Sequence, residues 1–192
     1  MFATREEWLT AATEELRPVF DAVGKPLPAN IRMSCGFPSN AKRSGAIGEC
    51  WADTASADKT FEVLISPVLD DPLRVFDVLV HELCHATAGA MNHGFAFQAS
   101  AMSVYLVPTG TGAQPWKSTG RSPAFDEAFG GIVLSLGAYP HAKLTLNTRK
   151  TQGTRMLKAV CPSCGYTVRL TQKWAAIGLP SCPADGDILN LA

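Results

Sequence analysis

Hydrophobic positions recur with a helical period over residues 5–23, where Trp8, Leu9, Ala12, Leu16, Val19 and Phe20 share one face. Gly24 and the Pro26/Pro28 pair close that segment. Three short apolar runs come next at residues 31–35, 46–51 and 60–66 and predict strands, the first two separated by the turn-forming stretch GFPSNAKRSG. Asp71-Pro72 then supplies an N-cap acceptor and a proline suited to the first helical position. From there Leu73, Phe76, Val80, Leu83 and Cys84 mark an inward stripe, and Gly89 can stop the helix. Further helices are predicted over 94–106 and 123–136, with residues 107–123 between them read as a long Pro/Gly/Thr-rich loop. Beyond Tyr139-Pro140 the pattern changes to short strands and turns around cysteines. The expectation is an α+β fold, with a body over residues 1–140 and a small β module over 141–192.

Composition adds little to this picture, but charge adds something. With 46% hydrophobic and 18% charged residues in 192, there is enough apolar side chain for a sizeable core. Net charge is zero, yet residues 1–140 hold ten Lys and Arg against fifteen Asp and Glu, while residues 141–192 hold seven against two. No apolar run reaches the roughly 18 residues of a membrane helix. The stretch MFATREEWLTAATEEL also lacks the basic start and apolar segment of a signal peptide. A cytoplasmic location with no membrane partner is therefore expected, where the six cysteines are reduced thiols or metal ligands.

The chemistry concentrates in HELCH at 81–85. On a helix, His81 and His85 are separated by about 40° and ~6 Å of rise, so both imidazoles point the same way and can share a Zn²⁺ ion. Glu82 is placed to act as general base for a water whose pKa the zinc lowers. His93-Gly94 follows eight residues after His85, and His93 completes three protein ligands with a fourth position left for water. Gly94 is expected to let the backbone pass close to the metal, and Phe97 to pack beneath the next helix. The plain alternative is a buried helix whose histidines are satisfied by hydrogen bonds. Three of the four histidines fall within 13 positions around one glutamate, which favours zinc. His141 is an alternative third ligand, and Tyr105 and Tyr139 are either oxyanion donors or ordinary packing residues. Cys35, Cys50 and Cys84 read as core.

A second cluster begins with CPSCG at 161–165, and Cys182 comes after 17 intervening residues beyond Cys164. Paired-knuckle spacing would put a fourth ligand at position 185, which is Asp185. A structural Zn²⁺ held by Cys161, Cys164, Cys182 and Asp185 is chemically allowed. Loss of the metal, a Cys161/Cys164 redox pair or a fourth ligand from elsewhere stay open. Around these cysteines lie Arg149, Lys150, Arg155, Lys158, Arg169 and Lys173, with Tyr166 and Trp174 interleaved. That pattern reads either as a solvated surface or as a contact for DNA or RNA.

HELCHA, then NHGFAF with its HGxxF pattern, then a C-terminal CxxCG, together resemble the SprT-like (Spartan-type) metallopeptidases. The stretch YPHAKL…TRMLKAVCPSCGYTVRLTQKW is similar to such proteins of actinobacteria and their phages, and the resemblance covers nearly the whole chain. It implies a zincin-like peptidase domain followed by a zinc ribbon. It also implies His81, His85 and His93 as ligands of a catalytic zinc, Glu82 as general base, and Cys161, Cys164 and Cys182 on a second zinc. The implied activity is endopeptidase cleavage of DNA-bound or crosslinked proteins in association with nucleic acid. Asp185 departs from that pattern, which commonly has cysteine there. The rival expectation is a non-enzymatic nucleic-acid-binding regulator with a structural or vestigial metal site. An extended substrate adding to strand 61–66, were that strand a sheet edge, would give main-chain recognition with little side-chain selectivity.

Overall fold

The computed structural model describes residues 2–41, 45–89, 91–145 and 156–192. The architecture is mixed α and β with small sheets, in two compact units, Met1–Leu146 and Asn147–Ala192. Among the described residues no helix is long and apolar enough to cross a membrane.

Helix α1 (Arg5–Ala22) opens with a reciprocal capping box between Thr4 and Glu7 and buries Trp8, Leu9, Ala12, Leu16 and Phe20. It packs against a three-stranded sheet made of β1 (Ile31–Cys35), β2 (Gly48–Trp51) and β3 (Phe61–Ile65). The strand order is β1-β3-β2, with β1 parallel and β2 antiparallel to β3. The strand 61–66 is thus central, bonded on both sides and unable to accept a further strand. The edge beside the helix that carries His81 and His85 is β2. Period and composition identify a strand but not its neighbours, because pairing is decided by distant segments.

Helix α2 (Pro72–Ala88) starts as its sequence predicts: the Asp71 side chain accepts the Arg74 N–H at 2.7 Å, and Pro72 occupies the first turn. Gly89 ends it in the left-handed conformation at φ 59°, where a side chain would be strained. Phe76 on α2 meets Trp8 edge-on and packs against Phe125 and Phe129 of α4 (Pro123–Leu136). This aromatic cluster fixes α2 between α1 and α4. Helix α3 (Phe95–Ser103) is shorter than its apolar run suggested. Between α3 and α4 runs a small hairpin, β4 (Leu106–Pro108) paired with β5 (Thr119–Arg121), inside the stretch expected to be loop. Proline and glycine had disguised two three-residue strands.

Arg5 is buried on the same face of α1. Its guanidinium donates to the Pro140 carbonyl at 3.0 Å and the Ala142 carbonyl at 2.8 Å, and lies over the Tyr139 ring.

In the second unit β6 (Leu157–Val160) lies between β7 (Thr167–Leu170) and β8 (Asn190–Leu191), all antiparallel, and a short helix α5 (Gln172–Ile177) comes after β7. Among its described residues the buried core is small: Ala159, Cys161, Cys182 and Leu189, with Val168, Leu170 and Leu179 partly buried against them.

Candidate metal centres

The helical spacing of His81 and His85, together with His93 just before α3, brings three imidazoles together, with ligand nitrogens all within 4.8 Å of one another. The Nε2 atoms of His81 and His93 are 3.3 Å apart. The rings rest on Phe97, whose centroid is 4.8, 4.4 and 4.7 Å from those of His81, His85 and His93. Phe97 is fully buried, so the floor of the cluster is dry and rigid. The His93 carbonyl accepts the Gln98 side-chain amide at 2.9 Å, which ties the ligand to α3. Gly94 lies in the turn between His93 and α3. A Cβ there would run into the Asn92 side chain, whose Oδ1 accepts the Gly94 N–H at 2.9 Å. The bare Cα permits this tight turn.

Burial pushes the His81 imidazole down to about 3, with the neighbouring His85 and His93 adding to the effect. His93 is lowered by burial first and by Lys117 second. Neutral imidazoles keep their lone pairs, which metal ligation requires. Thr119, on β5, lies 2.7 Å from His81 Nδ1. If Nδ1–H donates to that hydroxyl, Nε2 is left as the ligating atom, which is the usual service of a partner behind a metal-binding histidine. Thr119 lies 38 residues away from His81 in a stretch read as loop, and no local pattern marks it.

Glu82 is only 5% exposed and lies against β2 at Gly48, where any Cβ would overlap its carboxylate. Gly48 thus holds open the seat of the glutamate, another contribution invisible in the local sequence. Burial, and then Glu49, push the Glu82 carboxyl up to about 8. Among the described residues no fourth His, Cys, Asp or Glu ligand atom joins the three imidazoles. Glu82 lines the same cleft as the histidines, a cavity of about 920 Å³ walled by β2, α2 and the end of the β4–β5 connection. Arg74 and Asp77 continue it along α2, with Arg74 Nη1 donating to both Asp77 oxygens at 2.7 and 2.8 Å.

The β2 edge faces this cleft. The Ser66 N–H donates to the Ile47 carbonyl at 2.9 Å, and Glu49 pairs with Leu64 in register. Residues alternate across an antiparallel ladder, so Ile47, Glu49 and Trp51 bond to β3 while Gly48 and Cys50 turn their main-chain groups outward. Cys50 packs against the core, as expected, and also lines the cleft, and burial followed by Glu82 pushes its thiol up to about 12. Cys84 is fully buried core. His141 stands outside the cluster, and neither Tyr105 nor Tyr139 lines the cleft.

The second group brings Cys161, Cys164, Cys182 and Asp185 together, again within 4.8 Å. The Asp185 carboxylate is 3.3 Å from the Cys161 sulfur, and the Cys164 and Cys182 sulfurs are 3.4 Å apart. Around it, Lys158 and Arg169 are exposed and directly opposite across β6 and β7, and Lys173 lies over the Trp174 ring at 5.1 Å. Arg149, Lys150 and Arg155 lie outside the described residues. Both clusters are compatible with zinc in donor type and number. No protein-family model, curated protein or solved structure matches the chain, so its function has to be read from these side chains.

Two outcomes test the three-histidine cluster. Thr119→Val should weaken zinc binding about 10- to 100-fold in chelator competition, and an unchanged affinity would remove the hydroxyl from the site. The second concerns the metal-free chain. Between pH 4.5 and about 8 the folded chain holds the Glu82 proton that the unfolded chain has lost, so this group's contribution to stability falls as pH rises. His81 has the opposite sign between about 3 and 6.5, where the unfolded chain binds the extra proton. With chelator present, the Tm of wild type should therefore decline with rising pH relative to that of Glu82→Gln across the Glu82 window. Parallel curves would mean that Glu82 is ionised in the folded metal-free protein.

Proposed function

We propose that this chain is a zinc-dependent endopeptidase of SprT-like type, with a zincin-like N-terminal domain and a zinc-ribbon-like C-terminal module. The observation that carries the reading is the convergence of three imidazoles beside a buried carboxylate, all facing one cleft walled by the edge strand β2. A structural three-histidine site has no use for Glu82 in that position or for the gap at Gly48 that admits it.

A zinc ion held by His81, His85 and His93 would polarise water and the scissile carbonyl as a Lewis acid and, as a nearby cation, would favour the ionised form of Glu82. Glu82 takes the proton of the attacking water and later delivers it to the leaving amine. Phe97 packs beneath the three imidazoles and helps to fix their orientation. The outward N–H and C=O groups of Gly48 and Cys50 bind an extended substrate as an added antiparallel strand, which brings its main chain alongside Glu82. Recognition of this kind reads backbone more than side chains, and selection among proteins has to come from elsewhere. The exposed Lys158, Arg169, Tyr166 and Trp174 suit a nucleic-acid contact that would bring DNA-bound or crosslinked proteins to the enzyme.

Glu82→Gln should retain its metal and lose peptide-bond cleavage of an unstructured protein in the presence of single-stranded DNA, by at least about 10³-fold. Full activity in that variant would sink the general-base assignment. Gly48→Ala is expected to keep metal content near wild type while lowering kcat, because the new methyl displaces Glu82 and not the histidines. If no cleavage occurs with zinc bound and DNA affinity intact, the chain is a binding protein instead.

A further inference from the structure

The two cysteine turns of the C-terminal unit are variants of one motif, CPSCG at 161–165 and CPADG at 182–186. Their backbones match bond for bond. The Gly165 N–H donates to the Cys161 carbonyl at 3.1 Å, and the Gly186 N–H donates to the Cys182 carbonyl at 2.9 Å. The Cys161 N–H donates to the Tyr166 carbonyl at 2.8 Å, and the Cys182 N–H donates to the Asp187 carbonyl at 2.7 Å. Both glycines are left-handed, at φ 75° and 81°. Ser163 of the first turn donates to the Asp187 carboxylate beside the second, tying the pair together. Asp185 therefore occupies the place in its turn that Cys164 occupies in the other, and the same backbone aims its side chain at the same point.

We propose that Asp185 is the exchangeable fourth ligand of a Cys₃Asp metal site, and that the C-terminal unit is ordered only while that site is filled. This rests on the reading of the cluster as a zinc site. A carboxylate carries the same charge as a thiolate, so the exchange leaves the Coulomb attraction in place and removes the covalency that a soft sulfur gives to zinc. The ligand is also exposed, and its Oδ1 is shared with the Asp187 N–H at 3.1 Å. Its release leaves Cys161 and Cys182, both buried, and Cys164 at the solvent side.

The fold cannot absorb that loss. Among the described residues of this unit the fully buried side chains are Ala159, Cys161, Cys182 and Leu189, two of them candidate ligands, with only Val168, Leu170 and Leu179 packed partly buried against them. So small a core does not offset the conformational entropy of ordering the chain, and metal binding free energy becomes folding free energy. Loss of metal would then dissolve the sheet that displays Lys158 and Arg169 and would leave the first unit, with its own large core, folded. The unit is in effect a zinc-conditional surface.

The test uses the full-length zinc-loaded chain and its Asp185→Cys variant, titrated with a chelator of graded strength. Trp174 reports the second unit and Trp8, Trp51 and Trp116 report the first through their indole N–H signals. The expected result is loss of the Trp174 signal as one zinc leaves, with the other three retained, and a C-terminal site at least about tenfold tighter in Asp185→Cys. Cobalt substitution gives an independent readout, since the thiolate charge-transfer band belongs to this cluster alone and should intensify in Asp185→Cys. Equal affinity in the two proteins, or a Trp174 signal that survives metal loss, would overturn the proposal. A double variant, Cys161→Ser with Cys164→Ser, that holds as much zinc as wild type would overturn the underlying assignment of metal to the cluster.

Discussion

Helix α2 has to carry ionisable side chains into the interior of the protein, and the rest of the first unit is arranged around that demand. Asp77, Glu82 and His85 are each 4–5% exposed on a helix that also buries Val75, Phe76, Leu79, Val80, Leu83 and Cys84. Buried polar groups cost free energy unless matched. Asp77 is matched by Arg74, yet burial still raises its carboxyl above the ordinary range. Burial favours the neutral forms of His81 and His93, and Glu82 sits in a niche that favours its protonated form. A cation among these groups would relieve much of that cost. The aromatic cluster of Trp8, Phe76, Phe125 and Phe129 supplies the apolar burial that keeps the helix in place.

What could be read from the sequence was whatever local chemistry decides. The Asp71-Pro72 start, the Gly89 stop and the four-residue histidine spacing follow from helix geometry and turn preferences alone, while His93 was marked by its nearness in sequence to the other two histidines. What escaped depends on distant partners. Strand 61–66 was recognisable as a strand but not as the middle one, because that depends on where residues 31–35 and 48–51 come to lie. Thr119 gained its place behind His81 through a hairpin hidden among prolines and glycines. Gly48 looked like an ordinary strand glycine until the carboxylate above it was in view. Asp185 was the intermediate case: spacing pointed to it, and the repeated CPx(C/D)G turn was present in the sequence all along.

The two clusters would hold a metal by opposite means. In the first unit a large core is built beforehand, and three ligands from α2 and the turn before α3 are fixed by Phe97, Gln98 and Thr119. Such a site can keep a coordination position open because its geometry does not depend on the ion. In the second unit Cys161 and Cys182 belong to the small core itself, and four donors would close the site. Openness suits reaction, and closure suits folding.

This contrast bears on how a peptidase that reads main chain would be restrained. An edge strand offering Gly48 and Cys50 backbone groups accepts almost any extended segment, and the cleft around it mixes charges of both signs, Glu49 and Asp77 with Arg74 and Lys117. Neither feature selects a substrate by its side chains. Selection must then act on whether a protein is unfolded enough to supply a strand and on whether the enzyme is brought to it. The first condition is set by the substrate's own stability. The second would fall to a surface outside the cleft, and the C-terminal unit offers the exposed Lys158 and Arg169 on β6 and β7 with the exposed rings of Tyr166 before β7 and Trp174 on α5. A recruiting surface whose order depends on a bound ion would place the control of proteolysis in the part of the chain that takes no part in the chemistry.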